Sequence, residues 1–143
     1  VGGCRFKYED LPAHLQAQVD GVLRKEASPA VEEPPTPVEQ KRGRQPNKTE
    51  AAYRAEVLDR RSDVAAVRYE GLTFRMENGH RYTPDWVVVT EGGRIECHEV
   101  KGRYAFHSQQ RAKLAFDQAR VEFPWFTWIW ATRAKHEWKE VST

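Results

Sequence analysis

Asp85, Glu99 and Lys101 are the residues of this chain whose types and spacing could do chemistry together. Asp85 opens the apolar run Trp86-Val87-Val88-Val89, and Glu99 and Lys101 close the second run, Ile95 to Lys101. Val87, Val88 and Val89 read as a strand buried on both faces. Gly92-Gly93 marks a hairpin between the two runs. If Glu91 to Gly93 form the loop, Thr90 pairs with Arg94, and counting back along both strands sets Asp85 opposite Glu99. A two-residue loop would shift that register by one. Like charges opposed in a sheet are destabilising, and a divalent cation between them turns the penalty into a binding site. Oxygen-only ligands favour magnesium, with manganese as a substitute, over zinc. Residues two apart share a strand face, so Glu99 and Lys101 project the same way as Ile95 and Cys97. A lysine beside a cation-binding carboxylate orients water and stabilises charge building on a phosphate.

Glu-x-Lys alone also fits an ordinary surface ion pair, and Pro84-Asp85 alone is a weak signal. Joined by two strands and a turn that makes the carboxylates meet, they are much more specific. Pro84-Asp85 followed by Glu99-Val100-Lys101 resembles the signature of the PD-(D/E)XK nuclease superfamily. The resemblance covers roughly residues 47–130. Within the superfamily the chain is most similar to small phage-encoded endonucleases of the Holliday-junction-resolvase kind; end-cleaving transposon endonucleases share the Thr-Pro-Asp and Glu-Val-Lys pattern.

The resemblance implies an α/β (α+β) restriction-endonuclease-like core in the order αβββαβ, a central mixed sheet flanked by helices. It also implies cation binding by Asp85, Glu99 and the backbone of Val100, with Lys101 assisting hydrolysis. Related nucleases often add a glutamate from the first core helix. Glu50 is the best match, with Glu56 as the substitute, although a capping glutamate needs no catalytic role. Phage-like company implies branched DNA as substrate, a homodimer with two sites, and a role in phage or prophage recombination.

The chain has 143 residues and a net charge of +2, room for one core. Residues 1–40 carry −3 and residues 41–143 carry +5. A basic core suits a polyanion such as DNA. No apolar run is long enough to span a bilayer, and no signal-peptide pattern is present. With Cys4 and Cys97 far apart, the expectation is no disulfide, a reducing bacterial-host cytoplasm, no membrane and no small-molecule cofactor. Cys97 and His98 are adjacent, on opposite strand faces, so zinc is not expected.

Three segments follow from the patterning: residues 1–27, a helical segment; 28–46, a Pro-rich basic linker; and 47–143, the nuclease-like domain. Leu11, Leu15, Val19, Val22 and Leu23 recur at helical spacing between Tyr8 and Ala27, with Asp10 as N-cap. That one-sided helix packs on the core or on a second copy. The linker contains Pro29, Pro34, Pro35 and Pro37 and ends in Lys41-Arg42-Gly43-Arg44-Gln45-Pro46, an imperfect likeness to an AT-hook. It reads as extended, its Lys41, Arg42 and Arg44 forming a phosphate-binding arm or a merely solvated charge run.

Asn47 and Glu50 make a capping-box start for a helix from Asn47 to Arg61, with Lys48 as a further phosphate contact. A first strand is expected over Val67 to Met76 with an irregularity at Gly71, then a type I′ turn at Asn78-Gly79. Gly102 lets the chain leave the second central strand close to a phosphate. Arg103 to His107 form a loop whose Arg103 binds DNA and whose Tyr104, Phe106 and His107 stack on bases or simply pack. Ser108 caps a helix to about Val121 that presents Arg111 and Lys113 to phosphates or to solvent. Trp125 to Trp130 is an interior strand, and residues 131–143 a polar tail. Three functions stay open: a magnesium-dependent endonuclease for branched DNA, a duplex-cutting or nicking nuclease, and a non-catalytic DNA-binding module on the same scaffold.

Overall fold

The computed structural model describes residues 8–27, 43–103 and 106–143. Its elements are, in chain order, α1 (Ala13–Ala27), α2 (Lys48–Glu56), β1 (Val64–Tyr69), β2 (Phe74–Arg75), β3 (Arg81–Tyr82), β4 (Trp86–Thr90), β5 (Ile95–Lys101), α3 (Phe106–Glu122), β6 (Thr127–Ala134) and β7 (Glu137–Ser142). Single 3-10 turns precede α1 at Tyr8–Asp10 and follow α2 at Leu58–Arg60. The fold is mixed α/β around a five-stranded sheet ordered β1-β4-β5-β6-β7, with β2 and β3 as a separate small hairpin. Pairing is antiparallel except between β5 and β6, which run parallel across the α3 connection.

Alternation along the central strands divides the core. Val87, Val89, Ile95 and Cys97 face one side, where Leu11, Leu15, Val19 and Val22 of the N-terminal segment and Phe116 and Ala119 of α3 cover them. Trp86, Val88 and Val100 face the other, against Tyr53 of α2 and Leu58. The N-terminal helix therefore spends its apolar stripe on its own chain: Leu15 and Val19 are 3% and 1% exposed. At about 1.5–3 kcal/mol for each fully buried aliphatic side chain, this burial makes α1 part of the domain.

The β4–β5 loop has the length on which the register depends. Thr90 N–H donates to the Arg94 carbonyl, and Gly93 N–H donates to the Thr90 carbonyl. Gly93 sits at φ +80°, the left-handed position that a three-residue hairpin loop assigns to glycine. The turn after β2 is built alike, with Met76 bonded to His80 and Gly79 at φ +83°. Asn78 is not in the left-handed region, so this is not the type I′ turn that Asn78-Gly79 alone favours.

Other boundaries also differ from the sequence patterning. The first strand is two pieces, β1 and β2, because Glu70 turns the backbone to φ +47° and its N–H donates to the Asp85 carbonyl. Gly71 follows where a Cβ would stand 2.8 Å from the Arg68 Cβ, so no larger residue fits. Pro12, not Asp10, leads into α1: its carbonyl accepts from Leu15 and Gln16. The helix begun at Asn47 ends at Glu56, short of Arg61. α3 starts at Phe106, two residues before Ser108. β6 starts at Thr127 rather than Trp125 and runs to Ala134. Residues 137–142 form the edge strand β7 rather than a tail; five of its six residues are exposed, so it carries little apolar pattern to read. The linker up to Arg42, with Lys41, lies outside the described residues, as do Cys4, Tyr104 and the side chains of Phe106, His107 and Ser108.

Candidate active site

Trp86 pairs with His98 in the β4–β5 register, which sets Asp85 opposite Glu99 one position further on. Three groups hold the pair in place. The Val100 N–H donates to Asp85 Oδ2 at 2.7 Å. The Tyr82 hydroxyl donates to Glu99 Oε2 at 2.5 Å. Lys101 Nζ lies 2.6 Å from Glu99 Oε1. Glu99 is nearly buried, at 5% exposure, and Lys101, at the strand's open end, is partly exposed.

Burial pushes the Asp85 carboxyl up to about 7, and the Glu99 charge adds to the shift; the Val100 amide and Lys101 pull the other way. Glu50 contributes a further upward push. Two carboxylates held together in a desolvated place, one raised towards neutrality, are a common feature of sites that bind cations or move protons. The Tyr82 hydroxyl is raised far above its usual range by burial and by Glu99, so it stays a proton donor to that carboxylate.

Glu50 is buried at the start of α2, where the capping box binds it: Asn47 N–H donates to Oε2 at 2.9 Å and the Asn47 amide to Oε1 at 2.6 Å. The Tyr69 hydroxyl donates to the same carboxylate at 2.9 Å. Glu56 is elsewhere, taking the Trp138 indole N–H at 2.8 Å and Arg133 at 3.2 Å. Gly102 needs no glycine conformation, and a Cβ there would make ordinary contact with Thr49 Oγ1 at 3.7 Å. The start of α2 thus abuts the end of β5.

The basic residues divide. Lys113 is brought to the site, its Nζ 5.4 Å from the Trp130 ring centre, with Lys101 Nζ 5.9 Å from the same centre. Arg44 is exposed and pairs at 3.1 Å with Glu70, the residue whose N–H donates to the Asp85 carbonyl. Lys48, Arg103 and Arg111 are exposed at the start of α2, after β5 and on α3. Tyr82, Tyr69 and Trp130 were not singled out from sequence as parts of the site. Tyr82 alone had a local cue, three residues before Asp85.

No protein-family model, curated protein or solved structure matches the chain.

Among the described residues, no three or more His, Cys, Asp or Glu side chains gather to hold a metal ion by themselves. Asp85 and Glu99 are two carboxylate oxygen donors, the ligand type that hard cations such as magnesium accept.

The opposite sheet face holds a second polar cluster. His98, fully buried, has the Tyr53 hydroxyl 2.8 Å from Nδ1 and Glu96 3.1 Å from Nε2. Arg61 binds Glu96 through two contacts, at 2.6 and 3.1 Å. Despite its burial, Glu96 is lowered to about 2, by hydrogen bonds from His98 and Arg61. This cluster joins α2 and the following turn to the back of β5 and so supports Glu99 from behind.

Proposed function

We propose that the chain is a magnesium-dependent DNA endonuclease of the PD-(D/E)XK kind, acting on branched DNA as a homodimer, with manganese able to substitute. The observation that carries this reading is Asp85 opposite Glu99 with Lys101 on the Glu99 carboxylate. The succession α2, β1, β4, β5, α3, β6 supports a restriction-endonuclease-like order, with the β2–β3 hairpin as an insertion.

Asp85, Glu99 and the backbone of Val100 would hold the cation, while the Glu50 carboxylate, bound by Asn47 and Tyr69, would act on the pair through its charge. Bound magnesium supplies Lewis-acid polarisation of the scissile phosphate and makes a water acidic enough to attack. Tyr82 and Val100 N–H hold the two carboxylates in place, so little reorganisation precedes reaction. Lys101 places a positive charge where the phosphate gains negative charge. Lys113, Arg111, Arg103, Lys48 and Arg44 would neutralise flanking phosphates.

The test is cleavage of a labelled four-way junction and a matched linear duplex, with magnesium or with EDTA, by wild type and Asp85→Asn. Junction-selective cutting, lost both in EDTA and in the variant, is expected. Equal cutting of both substrates would keep the site and discard branched-DNA selectivity. No cutting with either magnesium or manganese would leave a DNA-binding module.

A further inference from the structure

Parallel pairing of β5 with β6 sets Glu99 beside Trp130 and Lys101 beside Thr132. Trp130 therefore shares the sheet face of Glu99 and Lys101. Its partly buried indole is approached by two ammonium groups, Lys101 Nζ at 5.9 Å and Lys113 Nζ at 5.4 Å from the ring centre. Phe116 meets the indole edge-on, with centroids 5.2 Å apart, and is itself 5.4 Å from Lys113 Nζ. Each lysine is thus held from two directions. Lys101 lies between Glu99 and the indole; Lys113 lies between Asp117, at 2.5 Å, and the two rings.

These restraints differ in strength. The Lys113–Asp117 pair has side chains 48% and 36% exposed, and such a pair holds weakly. The Lys101–Glu99 pair is 20% and 7% exposed and is less easily displaced. An aromatic face attracts an ammonium group without offering it a counter-charge. Two ammonium groups gathered at one ring repel each other, and an anion arriving between them turns repulsion into attraction.

We propose that Trp130 is a positioning residue that gathers Lys101 and Lys113 into a two-lysine clamp on a phosphodiester of the DNA backbone. The inference rests on the nuclease reading and deepens it. Lys113 exchanges Asp117 for the phosphate, while Lys101 keeps its place on Glu99. The indole sets how far apart the two charges stand.

Two measurements on the full chain test this, using Trp130→Phe, Trp130→Leu and Lys113→Gln. In EDTA, affinity for a labelled duplex is followed against salt. Each lost phosphate contact flattens the log–log slope by about 0.9, so Lys113→Gln flattens it by about one such step, Trp130→Leu by up to as much, and Trp130→Phe by little. Independently, 13C-methylated lysines are observed by NMR and assigned with Lys101→Arg and Lys113→Arg. Both resonances carry an indole ring-current shift in wild type and lose it in Trp130→Leu. Folded Trp130→Leu with an unchanged salt slope and unchanged lysine resonances would overturn the clamp while leaving the nuclease reading intact. Should Trp130→Leu not fold, Trp130→Phe must still alter both resonances, and their constancy overturns the clamp. Wild type that binds no DNA overturns the nuclease reading and the clamp's phosphate role together.

Discussion

Asp85→Asn should make the protein more stable at neutral and alkaline pH, and under the proposed nuclease function it should abolish cleavage. Asparagine keeps an oxygen for the Val100 N–H that now donates at 2.7 Å, so the change removes charge and little else. The wild-type carboxyl is raised from 3.8 to about 7 by burial and by Glu99. Between those values the folded chain holds a proton that the unfolded chain has released, so wild-type stability falls as pH rises through this window and levels off above it. At about 1.36 kcal/mol for each unit, the ceiling on that loss is about 4 kcal/mol. Asp85 is partly exposed, and solvent screening reduces the expected effect to about 2 kcal/mol.

The assay is urea unfolding of both proteins in EDTA, from about pH 5 to about pH 8, compared as a difference so that groups common to both cancel. The advantage of the variant should grow across this range. Magnesium should then narrow it from the wild-type side, by about 1.4 kcal/mol at a concentration ten times Kd, with no response from Asp85→Asn. A difference that stays flat with pH would refute the claim that the two carboxylates repel each other in a desolvated site.

The cluster behind β5 gives an expectation of the opposite sign. Glu96 is lowered to about 2, so its contribution is present above its ordinary value and is lost as pH falls towards the folded value. Arg61→Met strips both guanidinium contacts from a carboxylate that is 3% exposed. It should cost about 3 kcal/mol in urea unfolding near neutral pH, and much less near pH 2, where Glu96 is becoming protonated. An equal cost at both would mean that Arg61 acts through packing alone. At the β6–β7 turn, Lys135 holds φ +55°. Lys135→Gly should stabilise by about 1 kcal/mol, raising the thermal midpoint; a lower midpoint would show that the lysine side chain contributes more than its backbone strain costs.

The sequence by itself narrowed the local geometry of the site to two registers one residue apart, and the loop length seen in the structure chose between them. A three-residue loop with glycine last sets Thr90 against Arg94, and the strand period of two carries that register to Asp85 and Glu99. The same period placed Glu99 and Lys101 on the face of Ile95 and Cys97, and helical spacing marked the stripe that α1 buries. These relations span few residues and follow from backbone periodicity.

Tertiary packing decided the rest. The sequence left open whether α1 packs on its own chain or on a second copy, and the core resolved it. β7 was hidden because an edge strand exposed on most of its length needs little apolar alternation. Tyr82 reaches Glu99 from 17 residues away and Tyr69 reaches Glu50 from 19; the sheet and the start of α2 bring them there. Lys113 joins Lys101 only because α3 crosses back to β6 and sets Phe116 against Trp130. A side chain's partner across the chain is chosen by which surfaces pack, and packing is a property of the whole core.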